Sequence, residues 1–247
     1  GAFLAFSMGE QSGMRVLQVY GLADGKVRKV TSEMFSSYSP AWDPEGKVLW
    51  FLSNREFAPQ ISDLEWNYAG NRRTGVIGLA LRRDVADPFG PESDEVSAGD
   101  AKKDDPKDGA KEKDADAKKG DGKEAKKEAA KAPKPVAIDW DGLAARVVRV
   151  PVDADNYSDL AATKEALLYT RESAEFYGRD PEKKPALVIF DLKKREDSEL
   201  VADVDGWALS DDGTKVLVRS AGKEKGFRLF DAKPKAKDPK AVSTKEL

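Results

Sequence analysis

"YSPAWDPEGKVLWFLSNRE", Tyr38 to Glu56, decides how the rest of the chain reads. A Ser-Pro pair and a Trp lead into an acidic, Pro- and Gly-containing turn, an apolar run comes next, and the run stops at Ser-Asn-Arg. A second copy, "VDGWALSDDGTKVLVRSAG", spans Val204 to Gly222. Gly46 matches Gly213, Leu49–Phe51 match Val216–Val218, and Ser53 matches Ser220. A worn copy opens the chain, where Gly1 leads into "FLAFS", and a fourth lacking the Gly is "TKEALLYTRE", Thr163 to Glu172. Self-similarity at a fixed spacing is the signature of a repeat architecture and has to be settled before any site is sought.

The segment after each copy repeats as well. "MRVLQVYGLADGKVRKVT" (Met14 to Thr31) reads as strand, Asp-Gly turn and strand. Asp-Gly between apolar runs is a strong hairpin signal, because the tightest turns need positive φ. "PALVIFDLKKREDSELVAD" (Pro185 to Asp203) keeps the plan with a charged turn, and "GFRLFDA" with "KAVST" after it repeats it near the C-terminus. The unit is four short strands of about 45 residues, the length of a propeller blade. The expected fold is therefore all-β: a β-propeller of about four four-stranded blades, belonging to an incomplete ring of seven. Closure normally removes open sheet edges, so the missing blades are expected upstream. The chain starts in mid-strand with no initiator Met and no signal-peptide pattern, which predicts a piece of something longer.

One blade is swollen. After "TGVIGLALRR" (Thr74 to Arg83) the chain enters a Lys-, Asp- and Ala-rich tract. Order returns at "VAIDWDGLAARVVRVPV" (Val136 to Val152), where "DWDG" reads as a turn entering the fourth strand. Such a tract cannot bury enough apolar surface to offset its ordering entropy, and it accounts for charged residues reaching 35% of the chain. The expected organisation is blades over 1–96, a disordered insertion over 97–135 between the third and fourth strands of one blade, and blades over 136–247.

The 247 residues contain no His and no Cys, which removes Ser-His and Cys-His machinery, thiolate metal sites and disulfides together. No catalytic, cofactor-binding or metal-ligating residue is expected. A formal net charge of −3 supplies no one-sided field for nucleic acid or an anionic membrane, and no apolar run approaches a transmembrane span. "DADAKKGDG" (Asp114 to Gly122) fails as a calcium loop, because Lys118 and Lys119 stand where the pattern needs Asp or Asn and Gly. Asp43, Glu45, Asp211 and Asp212 sit at hairpin turns, where acidic side chains bond the backbone. Trp42 and Trp207, just before those turns, are expected to pack between blades. The remaining candidate is the loop "REFAPQISDLEWNYAGNRRTG" (Arg55 to Gly75) between a second and a third strand. Loops at the end of a rigid scaffold carry binding more often than strands do. Arg55, Trp66, Tyr68, Arg72 and Arg73 form a possible peptide- or subunit-contact surface.

The succession of "SPAWDPEGKVLWFLSNREFAPQISDLEWNYA", "IGLALRRDVADPFGPESDE", a charged insertion, "IDWDGLAARVVRVPVDADNY" and "VDGWALSDDGTKVLVRS" resembles the tricorn protease family. The resemblance implies the later blades of a second propeller within a large cytosolic serine-type peptidase that trims oligopeptides. In that family the propellers are scaffold and size filter, and the nucleophilic Ser and its His lie in later domains. No cofactor is implied; oligopeptide substrates and a homo-oligomeric, cytoplasmic parent are. A different class, a TolB-like propeller serving protein-protein interaction, shares the Asp-Gly turns.

Overall fold

The computed structural model describes residues 1–58, 60–61, 68–69, 72–90, 136–172, 184–221, 225–236 and 239–242. By internal packing the chain divides into a β unit, Gly1–Gly90 with Pro133–Leu247, and an inserted unit, Pro91–Ala132, which lies outside the described residues together with the whole of the expected insertion over 97–135.

Antiparallel sheets succeed one another along the chain in the order the repeats predict. The first contains β1 (Phe3–Gly9), β2 (Arg15–Gly21) and β3 (Val27–Lys29). The second contains β4 (Ser37–Trp42), β5 (Val48–Ser53), β8 (Gly75–Ala80) and β9 (Val147–Arg149). Between β5 and β8 lies a two-stranded hairpin, β6 (Gln60–Ile61) with β7 (Tyr68–Ala69), inside what sequence alone reads as a plain loop. The third sheet is β10 (Asn156–Ala162), β11 (Ala166–Glu172), β12 (Ala186–Asp191) and β13 (Glu196–Ala202). The fourth is β14 (Val204–Leu209), β15 (Lys215–Ser220), β16 (Gly226–Asp231) and β17 (Lys240–Val242). Calling these sheets blades 1 to 4, blades 2 to 4 have four strands each. Blade 1 has three among the described residues, because "FLAFS" is a second strand with no first strand beside it.

The core sits in the seams between consecutive blades. Leu17 and Val19 of β2 meet Leu49 and Phe51 of β5 in the first seam. Trp50 and Leu52 of β5 meet Leu167 and Tyr169 of β11 in the second, and Leu168 of β11 meets Val216 and Val218 of β15 in the third. Successive side chains of a strand point to opposite faces, so one second strand feeds two seams. Trp42 and Trp207 pack against the first and third seams, as expected of their place before the turns. Gly78 stands opposite Trp50, and a Cβ there would lie 2.8 Å from the indole ring. The glycine makes the room that Trp50 fills.

Polar bonds latch the seams. The Tyr38 hydroxyl donates to Asn54 Oδ1 at 3.0 Å and lies 3.4 Å from the carbonyl of Tyr157 in the next blade. Trp207 Nε1 donates to Thr170 Oγ1 at 2.9 Å across the third seam. The first strands of blades 2 and 3 share a bulge with a non-glycine residue at positive φ, Ser39 at 50° and Asp159 at 52°.

The β8–β9 connection is pinned at both roots. On departure, Phe89 enters the second seam edge-on to Phe190 at 5.9 Å, and Arg195 of blade 3 donates to the carbonyls of Pro88 and Gly90. On return, Trp140 packs against the first seam, edge-on to Phe3 and under the Arg28 guanidinium at 4.4 Å. After the "DWDG" turn comes a short 3₁₀ turn, Leu143–Ala145, before β9; sequence reading places the strand directly after the turn.

Candidate functional site

Antiparallel order divides each blade into two ends. At the turn end of blade 2 lie the β4–β5 turn and the long β8–β9 connection; at the loop end lie the β5–β8 loop and the connections from β3 to β4 and from β9 to β10. Arg55, Arg72 and Arg73, the members of the expected contact set whose side chains are described, belong to the loop end, opposite the roots of the insertion.

At the turn end the carboxylates are consumed by the turns themselves. Asp43 accepts from the backbone N of Lys47 at 2.9 Å. Asp212 accepts from the Ser210 hydroxyl at 2.6 Å, from the Thr214 backbone N at 3.0 Å and from the Thr214 hydroxyl. Those bonds hold the Asp212 carboxyl down at about 2, the Ser210 bond contributing most. Such carboxylates are poor general bases and good turn formers. Among the described residues, no group of three or more Asp or Glu is placed to hold a metal ion, and no helix is long and apolar enough to cross a membrane.

At the loop end, Arg55 leaves β5 half-buried. Its Nε donates to Ser53 Oγ at 3.0 Å, and its guanidinium lies 5.6 Å from the Phe51 ring centre and 5.9 Å from that of Phe35. Ser53 Oγ in turn donates to the carbonyl of Ser36 at 3.1 Å, so the β3–β4 connection and the start of the β5–β8 loop hold each other. Burial pushes the Arg55 guanidinium below its ordinary value, with Glu56 opposing the shift. Glu56 is itself engaged: its backbone N donates to the carbonyl of Arg73 at 2.9 Å, and its carboxylate accepts from Arg149 of β9. The Nε of Arg72 is buried without a hydrogen-bond partner among the described residues. Exposed apolar side chains neighbour these residues in the chain: Phe57 at 87% follows Arg55 and Glu56, and Met34 at 72% precedes Phe35.

The structure thus brings Arg55, Arg72 and Arg73 to one end of blade 2. Trp66 lies outside the described residues, and Tyr68 is described only as backbone of β7. Sequence reasoning misses Phe35 and Met34, which arrive from the preceding connection, and Phe57, whose position two residues after Arg55 could have flagged it. It also misses Arg149, whose role depends on pairing with a loop 93 residues away in sequence.

A family model described as the tricorn protease second β-propeller domain matches residues 1–233. Tricorn protease homolog 1 of Streptomyces coelicolor is 30% identical over 231 residues, which are 91% of this chain and 20% of that protein. The tricorn protease homolog of Saccharolobus solfataricus is 25% identical over 222 residues, covering 86% of this chain and 16% of that protein. A crystal structure of the tricorn protease aligns over 100% of this chain and 21% of its own, with a TM-score of 0.67 at 19% identity, a likeness of fold. The chain spans about a fifth of the length of the first of these relatives.

Proposed function

The chain belongs to the tricorn protease family, in its second β-propeller domain, and from that premise we propose that it serves as scaffold and substrate-access gate of a tricorn-like serine-type peptidase that degrades oligopeptides. The observation that carries this reading is the family match along residues 1–233 of a chain that contains no His. A nucleophilic hydroxyl here would have no imidazole to take its proton, so the chemistry belongs to another part of the parent. The seams support the scaffold role, because the second strands of blades 2 and 3 are each shared between two of them and neighbouring blades are tied by bonds such as Tyr38 to Tyr157. The gate role draws on the loop end of blade 2, with Arg55, Trp66, Tyr68, Arg72 and Arg73 as its contact residues. Family membership alone supports the rest of the reading: further blades completing a ring of seven, a homo-oligomeric parent and a cytoplasmic location.

The experiment is a kinetic comparison of the parent enzyme with its Arg73→Glu variant on short acidic, neutral and basic peptides. A gate that steers substrates changes KM according to peptide charge and leaves kcat alone. Equal KM values for all peptides in both proteins, or a fall in kcat alone, would remove the gate from this end of the propeller.

A further inference from the structure

Blade 2 is assembled from both sides of the inserted unit. Residues 1–90 supply β4, β5 and β8, and residues 136–247 supply β9. Between β8 and β9, Ile77 pairs with Arg149 and Leu79 with Val147. The ladder is prolonged by Ala80 N to the Arg146 carbonyl at 2.9 Å and by Val150 N to the Val76 carbonyl at 3.0 Å. The second seam joins the same two stretches, with Trp50, Leu52 and Val76 from before the insertion and Leu167, Tyr169 and Phe190 from after it. The roots fasten what the ladder joins. Arg146 donates from Nε to the Ala80 carbonyl and from Nη1 to the Asp141 carbonyl, both at 2.9 Å, so one guanidinium bridges departing and returning chain. Phe89 lies between Trp50 and Phe190. Arg195 grips the carbonyls of Pro88 and Gly90 from a left-handed backbone at φ 59°, a conformation that glycine adopts with less strain. None of these contacts uses a residue between 91 and 135.

We propose that blade 2 is a two-piece joint: a chain cut within 97–132 stays one folded body, locked by the contacts of Phe89, Arg146 and Arg195. The cut hydrolyses one peptide bond, consuming one water and leaving a carboxylate end and an ammonium end. Every contact described above survives it. The covalent link across the insertion supplies effective concentration, whereas the ladder and the seam supply the burial that holds the pieces. Either piece alone would expose one apolar face of that seam, and residues 1–90 would also expose the edge of β8. The insertion is thus a place where an endopeptidase can process the chain without opening the scaffold. The inference goes beyond the proposed function and does not depend on which peptides the parent takes.

The test uses the full 247-residue chain with the recognition sequence of a site-specific endopeptidase placed within 97–132 and cut after folding. The pieces are expected to hold each other with a Kd of about 10 nM or tighter, so at about 1 μM they elute together from a size-exclusion column, at the position of the uncut chain. The urea midpoint should fall on dilution in the cut form and not in the uncut one, because unfolding then separates two molecules. Phe89→Ala and Arg146→Ala should each weaken the cut form at least about tenfold, while the uncut variants keep the wild-type elution position. Arg195→Ala, at a turn, carries the same test if either of those variants does not fold. Pieces that separate at about 1 μM, or that precipitate once cut, would overturn the joint. Unchanged affinity in every variant that folds would overturn the locking role of the roots, and with it the proposal.

Discussion

Strands β5 and β15 are the two clearest copies of the repeat, entered by turns whose glycines share a conformation, Gly46 at φ 66° and Gly213 at 67°. Yet all six residues of β5 are buried, whereas in β15 only Val216, Val218 and Ser220 are. Blade 2 has a blade packed on each face and blade 4 has a described neighbour on one. The far face of β15 holds Leu217 between Ala208 and Leu229, and its ends are tied by ion pairs, Arg219 to Asp205 and Lys215 to Asp231. A repeat therefore specifies the strand and its turn, while the neighbours decide how much of the strand becomes core.

Breaking one leucine in each strand gives the largest expected contrast. Leu49→Ala empties part of a closed seam and should cost about 3 kcal/mol, whereas Leu217→Ala trims a side chain that is only partly buried and should cost about 1 kcal/mol. Urea unfolding at unchanged m-value measures both. In the parent, where a further blade would cover β15, Leu217→Ala should cost nearly as much as Leu49→Ala. The same small cost in chain and parent would tell against continuation of the ring on that face.

That contrast also marks what the sequence reveals. Strand order, the Gly turns and the inward tryptophans are legible, because turn chemistry and period-2 patterning are local. The bulges at Ser39 and Asp159 are not, since neither residue type announces positive φ strongly. Nor are the roots of the insertion: Phe89 sits in "DPFG", which reads as loop, and only the seam beside Trp50 and Phe190 makes it core. The loop end is half legible. Arg55, Arg72 and Arg73 stand out as charge in one loop, but Phe35 joins them through the Ser36–Ser53 contact between segments that sequence cannot pair.

A smaller contrast separates the turns. Alanine at a left-handed position costs about 1 kcal/mol, and Gly213→Ala should show no more, because the nearest atom to its new Cβ is Thr163 Cγ2 at 3.8 Å. Gly46→Ala meets Val136 Cγ2 at 3.0 Å as well, on the segment returning from the insertion, and should cost about 2 kcal/mol. Equal losses in thermal or urea unfolding would mean that the Val136 segment yields freely. Unequal ones would show that the returning root presses on the turn.

The smallest effect lies in the same turns and is read by acid. Asp212 accepts three kinds of bond where Asp43 has the Lys47 backbone N, and its carboxyl is held at about 2 against an ordinary 3.8. The folded value lies below the unfolded one, so the folded state favours the ionised form. The stabilisation is complete above about pH 4 and disappears as pH falls through the window from 3.8 to about 2. Asp212→Asn cannot titrate, so the gap in urea midpoint between it and the wild type should be constant above about pH 5 and narrow through that window. A gap that keeps its width down to the lower limit would show that these bonds do not distinguish the charged from the neutral carboxyl. A closing gap would show that the turn before β15 draws on a charge, whereas the matching turn before β5 draws on the Val136 segment packed against Gly46.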